Sequence, residues 1–147
     1  MPRLQLDLPE QFRFSTEITV YSSHINQGGH LDNGQLLILC SEARRRFFLA
    51  LGYTEASVEG LRTTLTDAAV IYRSEAFAGE VLIFQLAARD YNKYGGDLVW
   101  VVNEKLSGRE VARGKSGFVF LEAGERRPAP VPAMFKQRAA IPEPVGD

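Results

Sequence analysis

The sequence predicts an α+β domain in which one antiparallel sheet wraps around a single long helix, and three observations carry that reading. A proline-free segment of helical length, Gly34 to Leu51, follows one strand-like segment and precedes four more in a row. Within that run of strands, Tyr94-Gly95-Gly96-Asp97 and Ser107-Gly108 are turn signals. The first half of the helix, Leu36 to Cys40, is apolar on every side, which requires other structure to enclose it.

Residues 1–12 are a lead-in. Phe12 to Tyr21 then alternates Phe12, Phe14, Thr16, Ile18 and Val20 against Arg13, Ser15, Glu17 and Thr19, the period of a half-buried strand. It ends in a polar, glycine-containing stretch, Ser22 to Asn33. Asp32 or Asn33 can cap the helix, which runs about five turns, and Gly52 stands where it should stop. The second half of the helix carries Glu42, Arg44, Arg45 and Arg46. Strands are expected over Arg62 to Glu75, rich in Thr, Val, Ile and Tyr, and over Glu80 to Asp90, where Leu82, Phe84, Leu86 and Ala88 share one face. Leu98 to Leu106 and Glu110 to Glu122 complete the sheet. From about Glu122 onward, Pro128, Pro130, Pro132, Pro142 and Pro144 should prevent any helix or ladder-forming strand from continuing. The expected organisation is a lead-in over 1–12, a domain over 13–122 and a proline-rich tail over 123–147.

With 147 residues, 45% hydrophobic and 24% charged, the chain has the profile of one domain with an ordinary core. Lys and Arg number 17 against 18 Asp and Glu, a net charge of -1, which excludes the basic excess of a general nucleic-acid or anionic-membrane binder. No apolar run reaches the roughly 18 residues that span a bilayer. Met1 to Glu10 lacks the basic-then-apolar order of a secretion signal, so a cytoplasmic protein is expected. One cysteine, Cys40, allows no internal disulfide, and two histidines with one thiol give no reason to expect a metal site.

The residues also carry a resemblance. His24-Ile25-Asn26-Gln27-Gly28-Gly29-His30-Leu31-Asp32-Asn33, with Ser41-Glu42-Ala43-Arg44 and Phe47 to Tyr53, is similar to the loop and central helix of hotdog-fold acyl-CoA thioesterases of the 4-hydroxybenzoyl-CoA thioesterase-like superfamily. Tyr72, Glu75, Ala76, Gly79-Glu80 and Leu82 resemble that family's segment between its second and third strands, and Glu110 to Phe120 its last strand. Together these pieces cover about residues 13 to 122. The resemblance implies a hotdog fold, a five-stranded antiparallel sheet wrapped around one long central helix. It implies hydrolysis of an acyl-CoA thioester to free acid and CoA, with no cofactor, at a site between the subunits of a homodimer or homotetramer. One position departs from the pattern. Where many members place their catalytic Asp, three residues before Gly29, this chain has Asn26, whose amide has no ionisable oxygen. An Asn here, after His-Ile and before Gly and His, resembles one branch of the superfamily. The alternative is a hotdog protein that binds acyl-CoA or a similar apolar ligand without turning it over.

Thioester hydrolysis needs a polarised carbonyl, a positioned water and a proton acceptor. The helix N-terminus, with Gly28 and Gly29 just upstream and Asn33 at its start, offers N–H groups and the positive end of the helix dipole. The same glycines equally serve to turn the chain. Asn26 can hold the water or the carbonyl, leaving proton acceptance to Glu42, Glu75 or Asp67. Glu42 lies roughly 13 Å along the helix at 1.5 Å per residue, so it serves only across a dimer interface. Its other reading is an ion pair with Arg45 or Arg46. Glu75 and Asp67 also fit ordinary solvated strand-edge carboxylates. His30 matches the family's loop His, to position the loop or to move a proton. His24 suits a base by its ordinary pKa of about 6.5, but nothing in the spacing orients it. Arg89, Lys93, Arg113 and Lys115 fall near ends of adjacent strands and can gather into a patch for the phosphates of CoA. Phe47, Phe48, Tyr53, Tyr72, Phe77 and Trp100 are the aromatic stock for core and acyl pocket. The expected catalytic residues are thus Asn26, His30, Glu42 and Gly29, and the expected binding residues Gly28, Asn33, Tyr72, Glu75, Arg89, Arg113 and Lys115.

Overall fold

In the computed structural model, which describes residues 2–142, the alternating segments form β1 (Phe14–Thr19), β2 (Leu61–Tyr72), β3 (Val81–Arg89), β4 (Gly95–Glu104) and β5 (Glu110–Glu122). They make one antiparallel sheet in the order β1-β3-β4-β5-β2, so the first two strands of the sequence are its two edges. Gly95 and Gly96, expected in a turn, instead open β4. A Cβ on Gly95 would fall 1.8 Å from the Phe118 carbonyl oxygen, so only glycine lets the strands close at that point. The turn itself is held by Asn92, whose Oδ1 accepts from the Tyr94 and Gly95 amides.

The long helix, α1 (Asn33–Ala50), is capped by Asp32 and lies on one face of the sheet. Leu36, Leu39, Ala43, Phe47 and Phe48 are buried from the helix side, against Leu82, Phe84, Leu98, Trp100 and Phe120 from the sheet. The expectation that its apolar first half is enclosed all round is only half met. Leu37 and Ile38 are 40% and 58% exposed.

The tail also differs from expectation. Pro128, Pro130 and Pro132 do keep that stretch extended, yet it bridges back to β5 through Leu121 and Pro128 and through the Ala129 amide on Phe120. A second helix, α2 (Ala133–Ala139), then starts directly after Pro132. Its seven residues contain no proline, and Ala, Met, Lys, Gln and Arg are good helix formers. A helix this short depends on tertiary contacts. Phe135 supplies them: it is fully buried, with ring centroids 5.2 Å from Phe120 and 6.0 Å from Phe48. The core therefore extends past Glu122. The expectation at Pro144 lies outside the described residues.

The lead-in crosses the sheet face opposite α1. The Leu6 and Asp7 carbonyls accept from Arg113 and Arg89, whose neighbours on that face, Ala87, Val99 and Val101, are buried although they lie outside the main core.

Candidate active site

The loop before α1 folds on itself. The Asn26 amide donates to the His30 carbonyl, the Gly29 amide to the Asn26 carbonyl, and Gly29 takes a φ of +86°, which favours glycine. The Asn26 side chain accepts from the Gly28 amide at 3.0 Å. A Cβ on Gly28 would lie 3.3 Å from both Asn26 Oδ1 and His30 Nε2, so the loop draws Asn26, Gly28 and His30 into one cluster.

His30 is oriented from both sides. Its Nδ1 lies 3.2 Å from the Leu31 carbonyl, which can only accept, so Nδ1 carries the hydrogen. In the neutral ring Nε2 is then the unprotonated nitrogen, and it faces the Glu75 carboxylate at 3.6 Å. His24 serves otherwise: its Nδ1 accepts from the Tyr21 amide at 3.0 Å, which caps the preceding turn.

At the tip of α1, Asp32 Oδ2 accepts from the Gly34 and Gln35 amides at 2.9 and 3.2 Å. Two of the N–H groups expected to meet a carbonyl are thereby taken. Among the described residues the Asn33 amide is the first-turn donor with no protein acceptor. Tyr72 pins this tip to β2, its hydroxyl donating to the Asn33 carbonyl at 3.0 Å, and desolvation raises its pKa. A cavity of about 270 Å³ opens here, lined by His30, Asn33, Leu36, Tyr72, Glu75 and Val111 among others. Glu75 is the one carboxylate lining it.

The structure thus brings together His30, Asn33, Tyr72 and Glu75, with Asn26, Gly28 and Gly29 beside them. The other expected site residues stand apart. Glu42 accepts from Arg45 at 2.7 and 2.9 Å and from Arg46 at 3.0 Å, and the Arg45 hydrogen bond above all lowers its carboxyl pKa to about 2. A carboxylate so held is a weak base. Asp67 is likewise lowered, first by its hydrogen bond from Lys115. Lys115 lies between Asp67 and Asp97. Arg89 holds the Asp7 carbonyl at 2.5 Å, and Arg113 is paired with Glu110 at 2.6 Å. The cations expected to form one patch are therefore spread and mostly paired. Of them, only Arg113 borders a second cavity, about 550 Å³, which Arg3 and Arg73 also line and which meets the first at Tyr72 and Arg73. Sequence reasoning passed over Arg73, although its place beside Tyr72 was a usable signal. Arg3 had none, because only tertiary structure lays the lead-in across the sheet.

A five-stranded antiparallel sheet around one long helix, with a polar cavity at the helix tip, defines a hotdog protein. The profile of the thioesterase-like superfamily matches residues 20–139, and the chain belongs to that family. No curated protein matches it. Among solved structures it is similar to a 1,4-dihydroxy-2-naphthoyl-CoA thioesterase from Synechocystis, at 21% identity over 86% of this chain and 94% of that one, with a TM-score of 0.77. A DHNA-CoA thioesterase from Staphylococcus aureus matches at 19% identity over 79% and 78% of the two chains, with a TM-score of 0.70. A 4-hydroxybenzoyl-CoA thioesterase with an Asp-to-Asn substitution, complexed with 4-hydroxybenzoyl-CoA, matches at 15% identity over 86% and 98%, with a TM-score of 0.77. The match to α2 within the family profile agrees with the burial of Phe135.

Proposed function

We propose that the protein is an acyl-CoA thioesterase, and the observation that carries the reading is the His30–Glu75 pair in the cavity at the α1 tip. The thioester carbonyl lies against the Asn33 amide at the positive end of α1, where Gly28 and Gly29 leave room for it. Water adds to the carbonyl carbon, its proton passing to Glu75 directly or through His30 Nε2, and Asn26 and His30 fix its approach. The carbon–sulfur bond then breaks, the CoA thiolate takes up a proton, and free acid and CoA leave. Glu75 is preferred to Glu42 because no arginine pairs with its carboxylate and it lines the cavity.

The substrate's phosphates fit the second cavity, which Arg3, Arg73 and Arg113 line, because Arg73 and Arg113 share the one carboxylate of Glu110 and so keep a net positive charge between them. The exposed edge of β2, with Leu65 and Tyr72 open on it and Leu37 beside it on α1, suits pairing with a second copy, which would place the site between subunits of a homodimer. In this reading the protein acts in the cytoplasm and needs no cofactor or metal.

Thiol release from a panel of short, long and aromatic acyl-CoAs tests the proposal, with Asn26→Ala, Asn26→Asp and Glu75→Gln as variants. Turnover that Glu75→Gln removes supports it. Tight binding without turnover, with activity emerging only in Asn26→Asp, would replace it with a ligand-binding function, which the amide at position 26 favours. Sedimentation of native protein against a β2-edge variant, Leu65→Lys, tests the dimer.

A further inference from the structure

Glu75 sits on a segment without regular structure. β2 ends at Tyr72, and residues 73–80 form neither helix nor strand before β3 begins. The Glu75 side chain is 61% exposed, so packing does not fix it. A proton acceptor works only when held within a fraction of an ångström of its place, so the backbone beneath it must be fixed instead. Hydrogen bonds do this from both sides. The Arg73 and Ser74 amides donate to the Val111 carbonyl at 2.9 and 3.2 Å, and the Ser74 hydroxyl donates to the Glu110 carbonyl at 2.7 Å. On the other side the Leu31 amide donates to the carbonyl of buried Ala76 at 2.7 Å, which joins the segment carrying Glu75 to the loop carrying His30.

The Glu75 carbonyl itself is held by Arg109, the residue before β5. Its Nη2 donates to that carbonyl at 3.0 Å and to the two Glu80 carboxylate oxygens at 3.1 and 3.2 Å, while its Nε donates to the Ser74 hydroxyl at 3.2 Å. Glu80 also accepts from the Phe77 amide at 2.7 Å, so one guanidinium closes the whole excursion from Ser74 to Glu80. The fork of an arginine can span these partners, and the point charge of a lysine cannot. Arg109 is anchored in turn: its carbonyl accepts from the Glu104 amide at 2.8 Å, and the buried Glu104 carboxylate accepts from the Leu106 and Ser107 amides at 2.7 and 3.0 Å, which locks the β4–β5 turn. Arg109 does not line the cavity at the α1 tip. We propose that Arg109 is a positioning residue, which sets the Glu75 carboxylate opposite His30 Nε2 by gripping the backbone on which Glu75 stands. This role rests on the thioesterase reading for what the pair does, and on the hydrogen bonds alone for how the pair is placed.

In thiol release, Arg109→Gln is expected to lower kcat by about 10- to 100-fold and to leave KM within about twofold, because the base is displaced and the binding surfaces are not. Added to Glu75→Gln, the same substitution should cost less than about twofold more, since its effect passes through Glu75. An unchanged kcat, or an equal loss in both backgrounds, overturns the proposal. Arg109→Lys returns a charge to Glu80 without the fork, so the urea midpoint should recover and kcat should not. Full recovery of kcat by lysine also overturns it. A second readout is independent of turnover. The chain has two histidines, His24 and His30, whose ring signals in a ¹H–¹³C spectrum are assigned with His30→Ala. Arg109→Gln should move the His30 signal towards its position in Glu75→Gln and leave the His24 signal in place. An unmoved His30 signal, or equal movement of both, overturns the positioning role. If the His30 signal moves as expected while native protein hydrolyses no acyl-CoA, Arg109 still places the pair and it is the thioesterase reading that fails.

Discussion

The two flanks of α1 are built differently. Towards β1 the helix is tied down: Arg46 donates to the Thr16 hydroxyl at 2.8 Å and the Glu17 carbonyl at 2.9 Å, Glu42 braces Arg45 and Arg46, and Phe47 meets Phe14 edge-on at 6.1 Å. Towards β2 the direct tie is at the tip, from the Tyr72 hydroxyl to the Asn33 carbonyl, and beyond it the helix and the strand part around two recesses. The closed flank has no room for a ligand, so it contributes stability. The open flank leaves space beside His30, Asn33 and Glu75 for a ligand.

Substitutions on the open flank should cost activity and little stability. Glu75→Gln and His30→Ala are expected to reduce thiol release by about 10²- to 10⁴-fold, the usual worth of a positioned acid or base, with an unchanged urea midpoint. Both side chains are at least partly exposed, so neither replacement opens a core cavity. A midpoint that falls along with the rate would show these residues to be structural and would break the contrast. On the packed side, Phe135→Ala should cost about 3–5 kcal/mol in denaturant unfolding, because the ring is enclosed by Phe48, Phe118 and Phe120. A loss below about 1 kcal/mol would mean that α2 is not part of the core. Asp32→Ala removes the cap of α1 and should cost about 1 kcal/mol, lowering Tm by about 2–4 °C for a chain of this size. No change in Tm would mean that water satisfies those amides equally well.

How far the sequence foretold this division depends on the range of the interactions involved. Alternation in Phe12 to Tyr21 and in Glu80 to Asp90 reports local backbone geometry, so β1 and β3 were legible to within two residues. The cluster of His30, Asn33, Tyr72 and Glu75 was legible only because the family pattern joined segments some forty residues apart; no local period does so. α2 was hidden because the prolines around it dominate the composition, while what holds it is the distant aromatic pocket that receives Phe135. The lead-in carbonyls that Arg89 and Arg113 hold were hidden for the same reason, since the lead-in has no period of its own. Glu42 was ambiguous, as its spacing to Arg45 and Arg46 suited an ion pair and its place in the family motif suited catalysis.

Glu42→Gln sharpens that last point and should have the smallest effect. Arg45 first, and Arg46 with it, hold the carboxyl at about 2, below the roughly 4.3 of an unfolded glutamate. A depressed pKa means that the folded state binds the proton less readily, so the pair stabilises the fold above about pH 4.3, and that stability is lost as pH falls through 2. The Glu42 side chain is a third exposed, so solvent screens the pair and limits its worth to less than about 1 kcal/mol. The expected result is a slightly lower midpoint for Glu42→Gln at pH 7, a smaller difference from native protein as pH falls towards 2, and unchanged thiol release. A hundredfold loss of thiol release at unchanged stability would mean that Glu42 reaches a partner's site across the interface, and the assignment of the base to Glu75 would fail.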